Sequence, residues 1–420
     1  MKDNFIRLLK WSQRYTKTDM VDLVHGSFFV TLAQGLVFLS SFALVWVCAN
    51  LFTPEAYGEY RFLTTVVALL SLASLPGMTT AIVRAVARGH SGVIPEIVKM
   101  RVTWGLFGTL AALVGAGYYF SEGNAELGLS FICIALLVPF YQSYAVTNFY
   151  HNGRKDYKNY TIFTTIRRAT IVGATILAIV LSRDVIVTLL VYLATTAIIN
   201  YVLYRYTIWR FPLSHSTDKE TIEYGKKLSL MSALSAAASQ LDKVALWYLS
   251  GPVSVAVYAI ATAAPKEIAS AFGNVGVLAL PKMASRDKKQ LRESLLRKTF
   301  IYFLFSVPLT LGYIAAAPLL FEILLPQYAE QVFYSQIAST LILLTPLILL
   351  TQYFSATMHT KALFTMQFVL PAVLLLLYAL LIPFYGVVGA IFALIGRQVA
   401  AGVLLFYFFV TDKESPRGWQ

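Results

Sequence analysis

The sequence predicts an all-α polytopic membrane protein, with twelve transmembrane helices in two six-helix lobes. Three observations carry that expectation. Of 420 residues, 58% are hydrophobic and only 13% charged, and mean hydropathy is +0.66, which no soluble domain shares. The apolar residues fall in runs that reach the roughly 20 residues a helix needs to cross a bilayer core. The basic residues gather on alternate connections. With the N-terminus in the cytoplasm, 27 of the 34 Lys and Arg lie in cytoplasmic segments and 2, Arg61 and Arg183, on the opposite side. That asymmetry is the positive-inside rule, and it supports an even number of spans with both termini in the cytoplasm. It also explains the formal charge of +13 as topology and contact with anionic membrane lipids, not as a nucleic-acid footprint.

Residues 1–20 read as an amphipathic helix on the cytoplasmic surface. Arg7, Lys10, Arg14 and Lys17 share one face, and Phe5, Leu8, Leu9 and Tyr15 largely occupy another. The N-terminal lobe covers 21–210, with spans expected at 27–51, 62–83, 102–120, 127–148, 161–182 and 185–208. A cytoplasmic linker, 211–225, leads to a C-terminal lobe over 226–411, with spans at 228–250, 253–281, 299–324, 332–354, 364–383 and 387–410. Residues 412–420 form a cytoplasmic tail. Internal prolines (Pro76, Pro139, Pro265, Pro308, Pro318, Pro346 and Pro371) free backbone carbonyls and kink helices, which suits a bundle with moving parts. The longest external connection, 52–60, is too short to fold as a catalytic or receptor domain.

A repeat at an offset of 198 residues relates the halves. Leu51, Pro54 and Tyr60 align with Leu249, Pro252 and Tyr258, and Arg84 and Arg88 align with Lys282 and Arg286. Both halves start inside, so the repeat is parallel, about an axis along the membrane normal. Two packed lobes with a cleft between them follow as the expected architecture.

The stretch 239–267 concentrates the chemistry. Asp242 and Lys243 lie inside one apolar run, Lys266 and Glu267 inside the next, and Ser250-Gly251-Pro252 turns between them. Arg167, Arg168 and Arg397 complete a set of seven ionisable residues well inside spans. At roughly 2.5–3.5 kcal/mol for a charge at a helix centre, they cannot all face lipid. At a rise of ~1.5 Å per residue, Arg167 lies about 10 Å in from the cytoplasm and Lys266 and Arg397 near the midplane. Five cations against two carboxylates suit an anionic ligand such as a phosphate or pyrophosphate. The plainer alternative pairs Asp242 and Glu267 with cations as structural ion pairs, which leaves cations over. Arg167 is near enough to the interface to snorkel. Ser229, Ser232, Ser235 and Ala236 to Ser239 pack a neighbouring helix closely or leave room for a ligand.

No enzyme constellation, metal site or cofactor motif is legible. The five histidines (His25, His90, His151, His215 and His359) lie in or beside cytoplasmic segments without ligand spacing. Cys48 and Cys133 fall within spans and imply neither a disulfide framework nor a metal. There is no Walker loop, G-x-S-x-G or H-E-x-x-H.

The chain resembles the oligosaccharide-unit (O-antigen and polysaccharide) flippases of the MOP flippase superfamily. The resemblance rests on Leu51-Phe-Thr-Pro-Glu-Ala-Tyr-Gly-Glu-Tyr60 after the first helix and on Gln240-Leu-Asp-Lys243 with the Gly251-Pro252 turn. Tyr258-Ala-Ile-Ala261, Leu280-Pro281, Leu325-Pro-Gln-Tyr-Ala329 and Tyr385-Gly-Val-Val-Gly-Ala390 extend it over roughly 27–410. It implies a non-enzymatic transporter in the inner membrane that moves a polyprenyl-pyrophosphate-linked oligosaccharide to the outer leaflet by alternating access through a cationic central cavity. Asp242 matches the family's span-seven aspartate. Arg168, Lys243, Lys266, Arg397 and Arg167 would hold pyrophosphate and sugars, and Asp242 and Glu267 would tune that field or carry a coupling cation, Na+ or H+. Other polysaccharide-assembly proteins are the implied partners. Two rivals stand beside this reading. A cation-coupled drug exporter of the same superfamily fits a cationic cavity poorly. A membrane glycan polymerase or ligase typically carries a large external loop, which this chain lacks.

Overall fold

A computed structural model describes residues 20–214, 216, 218–277, 288–357 and 359–411. Among them every regular element is helical. In chain order these are α1 (Met20–Leu51), α2 (Pro54–Leu70), α3 (Met78–Ala87), α4 (Val93–Ser121), α5 (Ala125–Tyr141), α6 (Thr147–Gly153), α7 (Tyr157–Ser182), α8 (Val185–Arg210) and α9 (Lys219–Ala238). They continue as α10 (Leu241–Ser250), α11 (Pro252–Val277), α12 (Lys288–Leu324), α13 (Val332–Ala338), α14 (Thr340–Leu343), α15 (Ile348–Ala356) and α16 (Thr360–Thr411). The surface helix expected over 1–20, the Leu280-Pro281 motif, Lys282, Arg286 and the 412–420 tail lie outside the described residues, apart from Met20.

The protein is an all-α polytopic membrane protein. Seven described helices are long and apolar enough to cross a bilayer, or eight when the pair interrupted around Leu75 is taken as one span. Their outer faces carry large apolar side chains in the open, such as Leu181 at 76% and Phe384 at 80% exposure, which only a lipid solvent stabilises.

Several expected stretches depart from regular helix, each for a local reason. Pro76 follows Leu75, whose φ of 54° is left-handed, and the chain passes from a single 3₁₀ turn (Ser71–Ser74) into α3. Gly77 opens α3 by donating its backbone N–H to Ser229 Oγ at 3.0 Å, because no Cβ blocks the approach of α9. The stretch expected as one span over 332–354 lies within one apolar span, Pro326–Ala356, in which α13, α14, a 3₁₀ turn at Thr345–Leu347 and α15 follow one another with right-handed helical backbone at Ser339, Leu344 and Leu347. Pro346 withholds an N–H there, and the Ser339 and Thr345 hydroxyls bond back to the Gln336 and Leu341 carbonyls at 2.6 and 3.0 Å. The stretches expected as spans over 364–383 and 387–410 are two helices that meet at Gly386, whose backbone is non-helical (φ 51°, ψ −122°); they share the label α16.

The described chain forms two compact units. One holds the residues up to Val47 together with Leu70–Leu230, and the other holds Cys48–Leu69 with the chain from Met231 onward. In the first, Met78, Ile82 and Ala85 of α3 pack with Ile94 and Ile97 of α4, Tyr150 of α6 and Ile222 of α9. In the second, Leu295 of α12, Leu350, Tyr353 and Phe354 of α15, and Leu405 and Phe409 of α16 form one core cluster.

Candidate functional site

The site begins where α9 stops. Ser239 Oγ donates to the Ala236 carbonyl at 2.7 Å, the helix loosens into a turn, and Gln240 caps α10. That places Asp242 in the first turn of α10, where a carboxylate meets the positive end of the helix dipole. Asp242 is fully buried. Its Oδ1 accepts the Lys243 backbone N–H at 2.8 Å and Lys243 Nζ at 3.1 Å. Lys243 Nζ also donates to Gln240 Oε1 at 3.1 Å. A buried ion pair survives only when its remaining polar atoms are satisfied, and this one is.

The other carboxylate oxygen is reached from α11, which Pro252 opens from the first helical position. Tyr258, fully buried, donates its hydroxyl to Asp242 Oδ2 at 2.6 Å. The phenol has one proton and spends it on Asp242, so towards Lys266 Nζ, 3.4 Å away, it accepts. The Lys266 ammonium also lies 5.0 Å from the centroid of the Tyr258 ring, a cation–π contact.

Helix α2 adds a cation that sequence reasoning missed. It starts at Pro54, ahead of the expected 62, because proline suits the first helical position and Glu55 the first turn. Phe62 stacks on Trp247 of α10 at 4.3 Å. Gly58 approaches so closely that a Cβ would stand 1.9 Å from the Pro252 carbonyl oxygen. This packing sets Arg61 within electrostatic reach of Lys243 and Lys266, whereas the charge count placed it on an external connection. The signal was present: Arg61 lies three residues past a glycine that must touch another helix.

Lys266 then faces a cavity of about 450 Å³ in the second unit. Its walls come from α11 (Lys266, Ser270), the segment α14–α15 (Thr345, Thr351) and α16 (Arg397, Gln398). Among the described residues, no Asp or Glu lines it. Tyr378 of α16 is buried within electrostatic reach of both Asp242 and Arg397, and so closes the ring of groups between the ion pair and the cavity. Tyr258 was named from sequence as a repeat and family-motif position but not as a site residue, and Tyr378, Gln398, Thr345 and Thr351 were not named at all, since such residues in an apolar helix carry no distinguishing signal there.

Of the seven ionisable residues expected within the membrane, the second unit brings Asp242, Lys243, Lys266 and Arg397 together. Glu267 points away from them and is exposed on α11. Arg167 and Arg168 belong to the first unit. Arg168 donates to Ser40 Oγ at 3.0 Å and Ser41 Oγ at 2.5 Å on α1. Arg167 lies near Tyr141, Tyr160 and Tyr192, whose members Tyr141 and Tyr192 share a 2.6 Å hydroxyl hydrogen bond. Among the described residues no cluster of three or more His, Cys, Asp and Glu has the spacing to hold a metal.

Comparison with known proteins bears on the family and the fold. Residues 47–332 match the family described as polysaccharide biosynthesis protein. Among solved structures, the chain is similar to the lipid II flippase MurJ in an inward closed conformation, with a TM-score of 0.67, 13% identity and coverage of 92% of this chain and 88% of that one. It is also similar to a multidrug resistance MATE family transporter of the MOP superfamily. The inward-facing form gives a TM-score of 0.60 at 15% identity over 90% and 94% of the two chains, and the outward-facing form 0.61 at 13% over 92% and 94%. No curated protein matches by sequence. At these identities the structural likeness establishes the fold, which is that of MOP-superfamily transporters.

Proposed function

The chain belongs to the polysaccharide biosynthesis protein family, and from that premise we propose that it is a flippase for a lipid-linked oligosaccharide. The cargo is a glycan on a polyprenyl pyrophosphate, carried from the cytoplasmic to the outer leaflet of the inner membrane by alternating access. The observation that carries the proposal is the cavity lined by Lys266 and Arg397, with no carboxylate among the described lining residues. Buried cations facing a void in a membrane protein are costly unless water or an anion fills it. Pyrophosphate supplies charge and several acceptor oxygens, for which a guanidinium and an ammonium are suited donors. Gln398, Thr345 and Thr351 add neutral donors and acceptors of the kind that hold sugar hydroxyls.

In this reading Asp242 tunes the field by neutralising Lys243, which leaves Lys266 and Arg397 to the ligand. Arg168 and Arg167 are read as further cargo-binding cations, and Glu267, exposed, is left for a coupling cation such as Na+ or H+.

Likeness to a multidrug transporter favours a second reading, export of cationic amphiphiles. Two cations in the cavity wall oppose it, since like charges repel such a cargo. Purified protein in proteoliposomes separates the two. The flippase reading expects glycosidase- or lectin-detectable arrival of a labelled polyprenyl-pyrophosphate oligosaccharide on the far leaflet, with no gradient-driven accumulation of ethidium. Ethidium accumulation without glycan translocation would overturn it.

A further inference from the structure

We propose that Tyr258 is a positioning residue that holds the Lys266 ammonium at the cavity wall and apart from Asp242. The inference rests on the reading of that cavity as an anion site.

The argument is one of proton direction. Asp242 Oδ2 has the Tyr258 hydroxyl as its donor at 2.6 Å. Having donated its only proton, that hydroxyl presents a lone pair to Lys266 Nζ at 3.4 Å. The order is therefore ammonium, phenol, carboxylate, and the phenol is a spacer between two opposite charges that attract each other through it. Of the three N–H groups on Lys266, this contact uses one, and the other two remain for the cavity that Lys266 lines. The ammonium is also held over the Tyr258 ring, so less rotamer freedom is lost when a ligand binds.

Removing the hydroxyl changes both ends at once. Asp242 Oδ2 would be buried without its donor, and the nearest buried cation not already bonded to Asp242 in this chain of contacts is Lys266. A direct Lys266–Asp242 ion pair would satisfy the carboxylate and withdraw the ammonium from the cavity. Tyr258 thus matters to the ligand although it does not line the cavity.

The test is the affinity for inorganic pyrophosphate, measured by titration calorimetry on purified full-length protein. The proteins are wild type, Tyr258→Phe, Lys266→Gln and the double variant. Loss of one positioning hydrogen bond is expected to weaken binding by Tyr258→Phe roughly threefold to tenfold. Because Tyr258 acts through Lys266, the double variant should bind no more weakly than Lys266→Gln alone. An unchanged affinity in Tyr258→Phe, or additive losses in the double variant, would overturn the proposal while leaving the anion site intact. Absence of pyrophosphate binding by the wild type would instead overturn the anion-site reading itself, and this inference with it. A thermal unfolding scan of each variant without ligand confirms that affinities are compared between folded proteins.

Discussion

Lys266 of α11 and Arg397 of α16 face one cavity, and among the described residues no carboxylate shares its wall with them. The nearby carboxylate, Asp242, is spent on Lys243 and Tyr258. The local balance is therefore cationic by construction, and anion binding is the property that follows from it most directly.

Both cavity cations should contribute to that binding. A charge-assisted hydrogen bond is worth roughly 1.5–3 kcal/mol, so Lys266→Ala and Arg397→Ala should each weaken pyrophosphate binding about tenfold to a hundredfold. Glu267→Gln, on the exposed side of α11, should change affinity by less than about twofold, as expected of a screened surface charge. Titration calorimetry of the three variants checks the contrast.

The Asp242–Lys243 pair should be far more sensitive to losing one partner than to losing both. Asp242→Ala leaves Lys243 buried without its counter-charge, which costs about 3–5 kcal/mol in comparable buried pairs. Asp242→Leu combined with Lys243→Met should recover much of that loss. Chemical unfolding in detergent, followed by tryptophan fluorescence, measures both.

Gly58 is a packing requirement. A Cβ there would lie 1.9 Å from the Pro252 carbonyl oxygen, so Gly58→Ala must push α2 away from the start of α11. Overpacking of this kind costs about 1–3 kcal/mol or more. The expected result is a lowered melting temperature and weaker pyrophosphate binding, since Arg61, three residues on, moves with α2. Gly89→Ala, which meets open space, is the wrong control because its φ of 88° is left-handed; Gly117→Ala, also in open space but in helical backbone, should be neutral.

Acid should loosen the connection between α6 and α7. His151 is buried among Tyr150, Phe163 and Phe211, with Nδ1 3.2 Å from Asp156 Oδ2. Burial pushes its imidazole below the ordinary value, against the pull of Asp156. The unfolded chain therefore takes up the proton first, and this contribution is full above about pH 6.5 and lost as pH falls below it. Burial alone would raise Asp156, but bonds from Asn159 and His151 outweigh it and hold the carboxyl below its ordinary value, so it adds a second loss at more acidic pH. In melting experiments between pH 7.5 and 5, His151→Phe should flatten the acid-side decline.

Much of the fold was legible because membrane residence constrains composition strongly. Hydrophobic runs, the distribution of Lys and Arg, and the cost of intramembrane charge named Asp242, Lys243, Lys266 and Arg397 before any coordinates. The rest depends on where helices stop. That Ser239–Gln240 breaks a helix, or that the helix over 332–354 tightens into a 3₁₀ turn at Thr345–Leu347, follows from hydroxyls bonding back to carbonyls, and such residues are also common in unbroken helices. Arg61 was misplaced because Pro54 reads equally as the end of a loop or the start of a helix. Glu267 adjoins Lys266 in sequence, yet successive helical residues point about 100° apart, and only one of them faces the cavity.

The most direct test of the central claim is translocation of a labelled polyprenyl-pyrophosphate oligosaccharide in proteoliposomes, wild type beside Lys266→Ala. Flipping by the wild type with loss in Lys266→Ala is the predicted result. Equal flipping by both proteins would contradict the assignment of the cationic cavity as the cargo site.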